Sequence, residues 1–160
     1  MRNLVIAVCL VTAGSSFGPD FAYAQETGKE LSQITFAGAD QNNDGALSFE
    51  EVAKTGADIF VSMDANDDRS VSQAEFNEWD WGYFYLAEKK GETEKYNAVK
   101  RILFALRDLN SDKRIDESEM RVGSFTDFSR ADLNHDRVLS ELEFLNAWTP
   151  ILVLKSAHEG

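Results

Sequence analysis

The sequence predicts an all-α chain in which helices alternate with short oxygen-rich loops, and three observations predict it. Four twelve-residue segments superimpose without a gap, each opening on aspartate and closing on glutamate: 40–51, 64–75, 108–119 and 132–143. Each is bracketed by apolar residues at fixed offsets, Phe36, Phe60, Phe104 and Phe128 four residues before, Val52, Phe76, Met120 and Phe144 one residue after. The segment starts lie 24, 44 and 24 residues apart, which sorts them into two close pairs joined by a longer middle stretch.

The N-terminus reads as an address. Met1-Arg2-Asn3 is a short basic start, Leu4 to Ala13 is apolar, and Ala22-Tyr23-Ala24 is a small-x-small cleavage signal before Gln25. An apolar stretch of ten residues is too short to span a bilayer, which needs about twenty, so residues 1–24 are expected to be a cleaved signal peptide without stable membrane insertion. Cys9 lies inside it, and Ile6-Ala7-Val8-Cys9 is a poor lipoprotein box because Val8 is bulky. Cleavage would leave 136 residues without cysteine, held by a hydrophobic core, a metal or both. A periplasmic or secreted location is expected.

The repeated segments carry the chemistry. Within each, positions 1, 3 and 5 supply side-chain oxygens: Asp40, Asn42 and Asp44; Asp64, Asn66 and Asp68; Asp108, Asn110 and Asp112; Asp132, Asn134 and Asp136. Position 7 needs only a backbone carbonyl, so Ala46, Ser70, Arg114 and Val138 are free to differ there. Position 9 is Ser48, Ser72, Asp116 or Ser140, acting directly or through water, and position 12 is Glu51, Glu75, Glu119 or Glu143. A hard cation such as Ca²⁺ takes six to eight oxygens at roughly 2.3–2.6 Å, and a loop of this length can wrap them around it. A bidentate glutamate at the last position favours Ca²⁺ over the smaller, octahedral Mg²⁺. At position 8, Leu47, Val71, Ile115 and Leu139 are the buried, β-favouring residues that a short backbone pairing between two loops needs.

On these residues the chain resembles the EF-hand superfamily, to which calmodulin belongs, and in particular exported bacterial proteins with EF-hand domains. The resemblance covers about residues 33–147 and implies four helix-loop-helix units in two pairs, with short β-pairing between adjacent loops and Ca²⁺ as the bound ion. The organisation it implies is 1–24 signal peptide, 25–80 first pair, 81–103 aromatic central helix and linker, 104–148 second pair and 149–160 C-terminal tail. Only 40–51 has glycine, Gly45, at position 6; the others place Arg69, Lys113 and Arg137 where the turn requires positive φ, at roughly 1–2 kcal/mol each. Loop one is therefore expected to bind tightest.

Twelve residues separate Glu51 from Asp64, and Glu119 from Asp132, about half what a calmodulin-like lobe uses. One straight helix there would hold neighbouring loops about 20 Å apart. Gly56 and Gly123 fall mid-segment and argue for two short helices instead, with Ser124 capping the second. In the middle stretch, Phe76, Trp79, Tyr83 and Leu86 share one helical stripe while Trp81, Phe84 and Tyr85 lie off it, and a further helix is expected from about Glu94 to Arg107. Two readings of these aromatics stand: a core between the pairs, or a calcium-gated groove for a protein or peptide partner. With only Met63 and Met120 beyond the leader, the adaptable Met-rich lining of such grooves is missing. Pro150 should stop the last helix, and Ile151-Leu152-Val153-Leu154 folds back on the core or docks elsewhere.

Sixteen Lys and Arg against 28 Asp and Glu give a net charge of −12, which argues against nucleic acid as a partner. His135 and His158 are expected to be solvated, and no Ser-His-Asp set, HExxH or P-loop is present, so no enzymatic activity is expected. Two functions remain: a calcium sensor or buffer, and a calcium-stabilised structural or adhesion module of the dockerin kind. Dockerin loops come in twos and end in aspartate; four ending in glutamate favour the first.

Overall fold

A computed structural model describes residues 28–157; the leader, its cleavage site, Cys9 and His158 lie outside the described residues. The chain is mainly α-helical with two short antiparallel ladders. In order the elements are α1 (Gly28–Ala39), β1 (Ala46–Ser48), α2 (Phe49–Met63), β2 (Ser70–Ser72), α3 (Gln73–Glu78), α4 (Phe84–Lys90), α5 (Thr93–Arg107), β3 (Arg114–Asp116), α6 (Glu117–Ala131), β4 (Val138–Ser140), α7 (Glu141–Ala147) and α8 (Thr149–Ser156).

The pairing of loops corrects the expectation drawn from their spacing. β1 pairs with β4, Leu47 opposite Leu139, and β2 pairs with β3, Val71 opposite Ile115. Loop one thus joins loop four and loop two joins loop three, and neither closely spaced pair, one with two or three with four, forms a ladder. The cause is that the twelve-residue spacers are not broken at their glycines: α2 and α6 are each continuous over fifteen residues. A helix of that length spans about 22 Å, several times the roughly 5 Å between paired strands. Two loops at opposite ends of one helix cannot meet, so each finds its partner on the other half of the chain.

The crossed pairing forces α2 and α6 to run antiparallel, since α2 leads from β1 to the β2–β3 end and α6 leads from β3 back to the β1–β4 end. They lie along one another through the middle of the molecule. Gly56 makes that approach possible, and Gly123 gives α6 room against Arg107 of α5; neither glycine ends its helix. An added Cβ at Gly56 would stand 2.9 Å from Ser124 Oγ, and one at Gly123 only 2.6 Å from Arg107 Cδ. Ser124 is not a cap; its hydroxyl donates to Met120 O within α6. Under the same helix, Arg107 forms a buried ion pair with Asp127.

The core follows the repeat. Leu47, Val71, Ile115 and Leu139 are fully buried at the ladder centres, and the bracketing apolar residues before and after every loop are buried with them. α1 packs on α7, where the Phe36 and Phe144 rings meet edge to face at 5.6 Å.

The aromatic middle stretch is not one helix. α3 ends at Glu78, and Gly82, at φ 82°, turns the chain with its N–H on Asp80 before α4 begins. The break lets both aromatic sets reach one core: Phe76 and Tyr83 are buried, and Trp79 and Trp81 pack against the core with their rings 5.0 Å apart. Phe84 and Tyr85 remain exposed. Lys100 of α5 fastens the turn by donating to Asn77 O and Trp79 O. At the other end, Pro150 ends α7 and sits in the first turn of α8, whose Ile151 and Leu154 are buried. The apolar tail thus returns to the core, where α8 lies on α5.

Candidate metal centres

Each of the four segments folds the same way, from the same local rules. The N–H of the opening aspartate donates to the carbonyl of the phenylalanine four residues before, closing the incoming helix at Asp40, Asp64, Asp108 and Asp132. Positions 4 and 6 then take positive φ in all four: Asn43 and Gly45, Asp67 and Arg69, Ser111 and Lys113, His135 and Arg137. Gly45 is the one residue of these without a Cβ, so the three cationic side chains at position 6 do occupy the strained left-handed region, at 65°, 69° and 74°. His135 is exposed at its turn.

The acidic and amide side chains hold the loop by accepting from its own backbone. In loop one, Asp40 Oδ2 accepts from Gly45 N at 2.9 Å, Asn42 Oδ1 from Asp44 N at 2.8 Å and Asp44 Oδ1 from Ala46 N at 3.0 Å. The equivalent bonds recur in loop two on Asp64, Asn66 and Asp68, in loop three on Asp108, Asn110 and Asp112, and in loop four on Asp132, Asn134 and Asp136. The closing glutamate reaches across the loop: Glu51 Oε1 accepts from Gln41 N and Asn42 N, and Oε2 from Ser48 N. Glu75, Glu119 and Glu143 repeat the reach.

Position 9 has a role that its reading as a ligand overlooked. Ser48, Ser72, Asp116 and Ser140 are the N-caps of the outgoing helices, each forming a reciprocal capping box with the closing glutamate. The signal was present as S-x-x-E in three loops and D-x-x-E in the fourth. These contacts draw Glu51, Glu75 and Glu143 down. The Ser48 backbone N–H, ahead of its hydroxyl, lowers the Glu51 carboxyl, and the Ser140 hydroxyl lowers that of Glu143. Burial pushes Glu75 upward, yet its bonds to the Ser72 N–H and hydroxyl leave it lowered.

As arranged, no three His, Cys, Asp or Glu side chains among the described residues are gathered at metal-binding distance, and the closing glutamates accept from backbone N–H groups. The charge they carry is nonetheless uncompensated. Asp40, Glu51, Glu119, Asp132 and Glu143 are all buried, and of the twelve carboxylates at positions 1, 5 and 12 only Asp68 has an ion-pair partner among the described residues. One oxygen is left over altogether. In loops one to three the N–H of position 5 also donates to the opening aspartate's Oδ1, at 3.1–3.2 Å. In loop four Asp136 N donates to Asn134 alone, and Asp132 Oδ1 is buried without any hydrogen-bond partner. A buried anionic oxygen with nothing donating to it is costly unless a cation faces it. The donor set of carboxylates, amide oxygens and a position 7 carbonyl suits a hard, oxygen-seeking ion.

The exception, Asp68, is met by a residue of the partner loop. Arg114, at position 7 of loop three, donates through Nε to Ser70 Oγ and through Nη2 to Asp68 Oδ2. The guanidinium is the main reason that the Asp68 carboxyl is drawn down to about 2. This link joins residues 46 apart and could not be read from either loop alone.

Fold and site together define a mainly α-helical protein built on four like loops, paired across two antiparallel helices and lined with acidic and amide oxygens. A scan of protein-family models finds no match to the chain, and a search of curated proteins finds none either. Among the described residues no helix is long and apolar enough to cross a membrane.

Proposed function

We propose that this is an exported EF-hand calcium-binding protein that takes up to four Ca²⁺ and serves as a sensor or buffer. The observation that carries the reading is the fourfold repetition of a loop wound on acidic and amide oxygens, in three of which buried carboxylates lack cationic partners, with the orphaned Asp132 Oδ1 as the clearest instance. In each loop the ion would be held by positions 1, 3, 5 and 12, by the position 7 carbonyl, and by position 9 directly or through water. Four bound ions supply eight positive charges and take the net charge from −12 to about −4, relieving repulsion among the loops.

The crossed architecture supports a further property of that reading. α2 leaves loop one and enters loop two, and α6 leaves loop three and enters loop four, so any ion that reorients a shared helix acts on both ladders. The two ends are expected to fill cooperatively. The calcium-stabilised structural module is favoured by a separate observation: the aromatics that would line a partner groove, Phe76, Tyr83, Trp79 and Trp81, are largely committed to the core. External calcium can be millimolar, so sites of about 10⁻⁴–10⁻³ M would stay loaded and act as staples.

The test is a calcium titration of the processed chain, followed by tryptophan fluorescence and thermal melting. Trp79 and Trp81 follow α3 behind loop two and Trp148 follows α7 behind loop four, so both ladders have a reporter. Uptake with a rise in melting temperature is expected; no uptake at millimolar Ca²⁺ defeats the proposal. Binding of an apolar dye that increases on adding Ca²⁺ marks a sensor, and unchanged binding marks a buffer or staple.

A further inference from the structure

We infer that Arg114 is a built-in counter-cation of loop two, which orders that loop without metal and makes it the weakest of the four calcium sites. The inference rests on the calcium reading above and concerns how the sites differ. The β2–β3 register sets Arg114 opposite Ser72, and from there its side chain runs back along β2 to Ser70 and Asp68. Both oxygens of Asp68 are thereby engaged, Oδ1 by the Ser70 N–H and hydroxyl at 3.1 and 2.8 Å, Oδ2 by the guanidinium. A divalent ion entering loop two has to share the position 5 carboxylate with a fixed positive charge or displace it.

The other ladder has no such device. Position 7 is Ala46 in loop one and Val138 in loop four, and neither can carry charge across to its partner. Loop two shares the strained cationic position 6 with loops three and four, in Arg69, Lys113 and Arg137, so what sets it apart from them is the guanidinium held on its position 5 carboxylate. The ion pair is part-exposed, with side chains 44% and 40% accessible, so the repulsion acts through largely aqueous surroundings and is screened by salt. Coulomb repulsion of a unit charge against a divalent one under those conditions weakens binding by about five- to tenfold at low ionic strength. A guanidinium does this better than an ammonium would, since its fork spans Ser70 and Asp68 together.

The experiment is calorimetric Ca²⁺ titration of the full processed chain and its Arg114→Gln variant, at low and high salt, each repeated with Glu75→Gln to mark the loop-two step. Melting of the Ca²⁺-free proteins is measured alongside. Arg114→Gln should tighten the weakest step about five- to tenfold at low salt, less at high salt, and the gain should vanish with Glu75→Gln; Arg114→Lys should fall between. The Ca²⁺-free variant should melt below the wild type. Unchanged or weaker binding by Arg114→Gln, a gain that survives Glu75→Gln, or an unaltered Ca²⁺-free melting temperature overturns the inference while leaving calcium binding intact. A wild type that takes up no Ca²⁺ overturns both.

Discussion

Replacing Gly123 by alanine sets two effects of opposite sign against each other. In the interior of α6 the change should favour the helix by about 1 kcal/mol, since alanine loses less backbone freedom than glycine. Against this, the new Cβ would stand 2.6, 2.8 and 3.0 Å from Cδ, Nε and Cζ of Arg107. These atoms belong to the middle of the side chain rather than its free end, and the guanidinium is anchored on Asp127, so the whole group must leave. Asp127 is 3% exposed at its side chain, and a buried carboxylate that loses its cation costs about 3–5 kcal/mol. The steric term wins, and Gly123→Ala should destabilise by about 2–4 kcal/mol. Urea denaturation of the Ca²⁺-free protein, followed by far-ultraviolet circular dichroism, measures it. In an Arg107→Ala, Asp127→Ala background the same change should stabilise by up to about 1 kcal/mol. A Gly123→Ala protein as stable as the parent refutes the close approach of α6 to Arg107 of α5. At Gly56 the obstacle is a single hydroxyl on Ser124, and Gly56→Ala should stay within about 1 kcal/mol of wild type.

Three other outcomes are expected. Loop one, with Gly45 at its left-handed position, should bind Ca²⁺ tightest, and Glu51→Gln should remove the first step of a calorimetric titration; four equal steps in the wild type contradict this. Glu51 and Glu143 have carboxyls lowered below 4.5 when folded, by Ser48 and Ser140 respectively, so the unfolded chain binds more protons than the folded one in that range. The stability they contribute is present above pH 4.5 and is lost as pH falls through the folded values; a Ca²⁺-free melting temperature that holds level below pH 4.5 argues against it. Because the ladders join opposite halves, a cut at exposed Gly91 should leave two pieces unfolded alone that regain helix when mixed. Independent folding of residues 28–90 contradicts the crossed pairing.

Most of the loop geometry was legible in the sequence because it is local. Every bond that winds a loop spans ten residues or fewer, from Asp44 N on Asn42 to Gln41 N on Glu51. The same holds for the burial of Phe36, Phe60, Phe104 and Phe128, which lie at one offset from every loop. The position 9 caps are equally local, but a serine in a ligand slot reads first as a ligand. Gly56 and Gly123 differ from the break their sequence suggests for another reason: a glycine mid-helix is a stop if nothing crowds it and a contact point if another helix lies across it. Only the neighbour decides.

From its amino acids alone this chain determined four oxygen-lined loops, the apolar bracket of each and the helix before the third, while leaving the apolar tail to fold back or dock elsewhere. Tertiary structure decided which loops meet, which aromatics are covered, and that Arg114 stands on Asp68 and Arg107 on Asp127. The dividing line is separation along the chain. A loop closes on itself through neighbours, whereas two continuous helices about 22 Å long hold adjacent loops apart and leave each to pair with whatever the antiparallel crossing brings alongside.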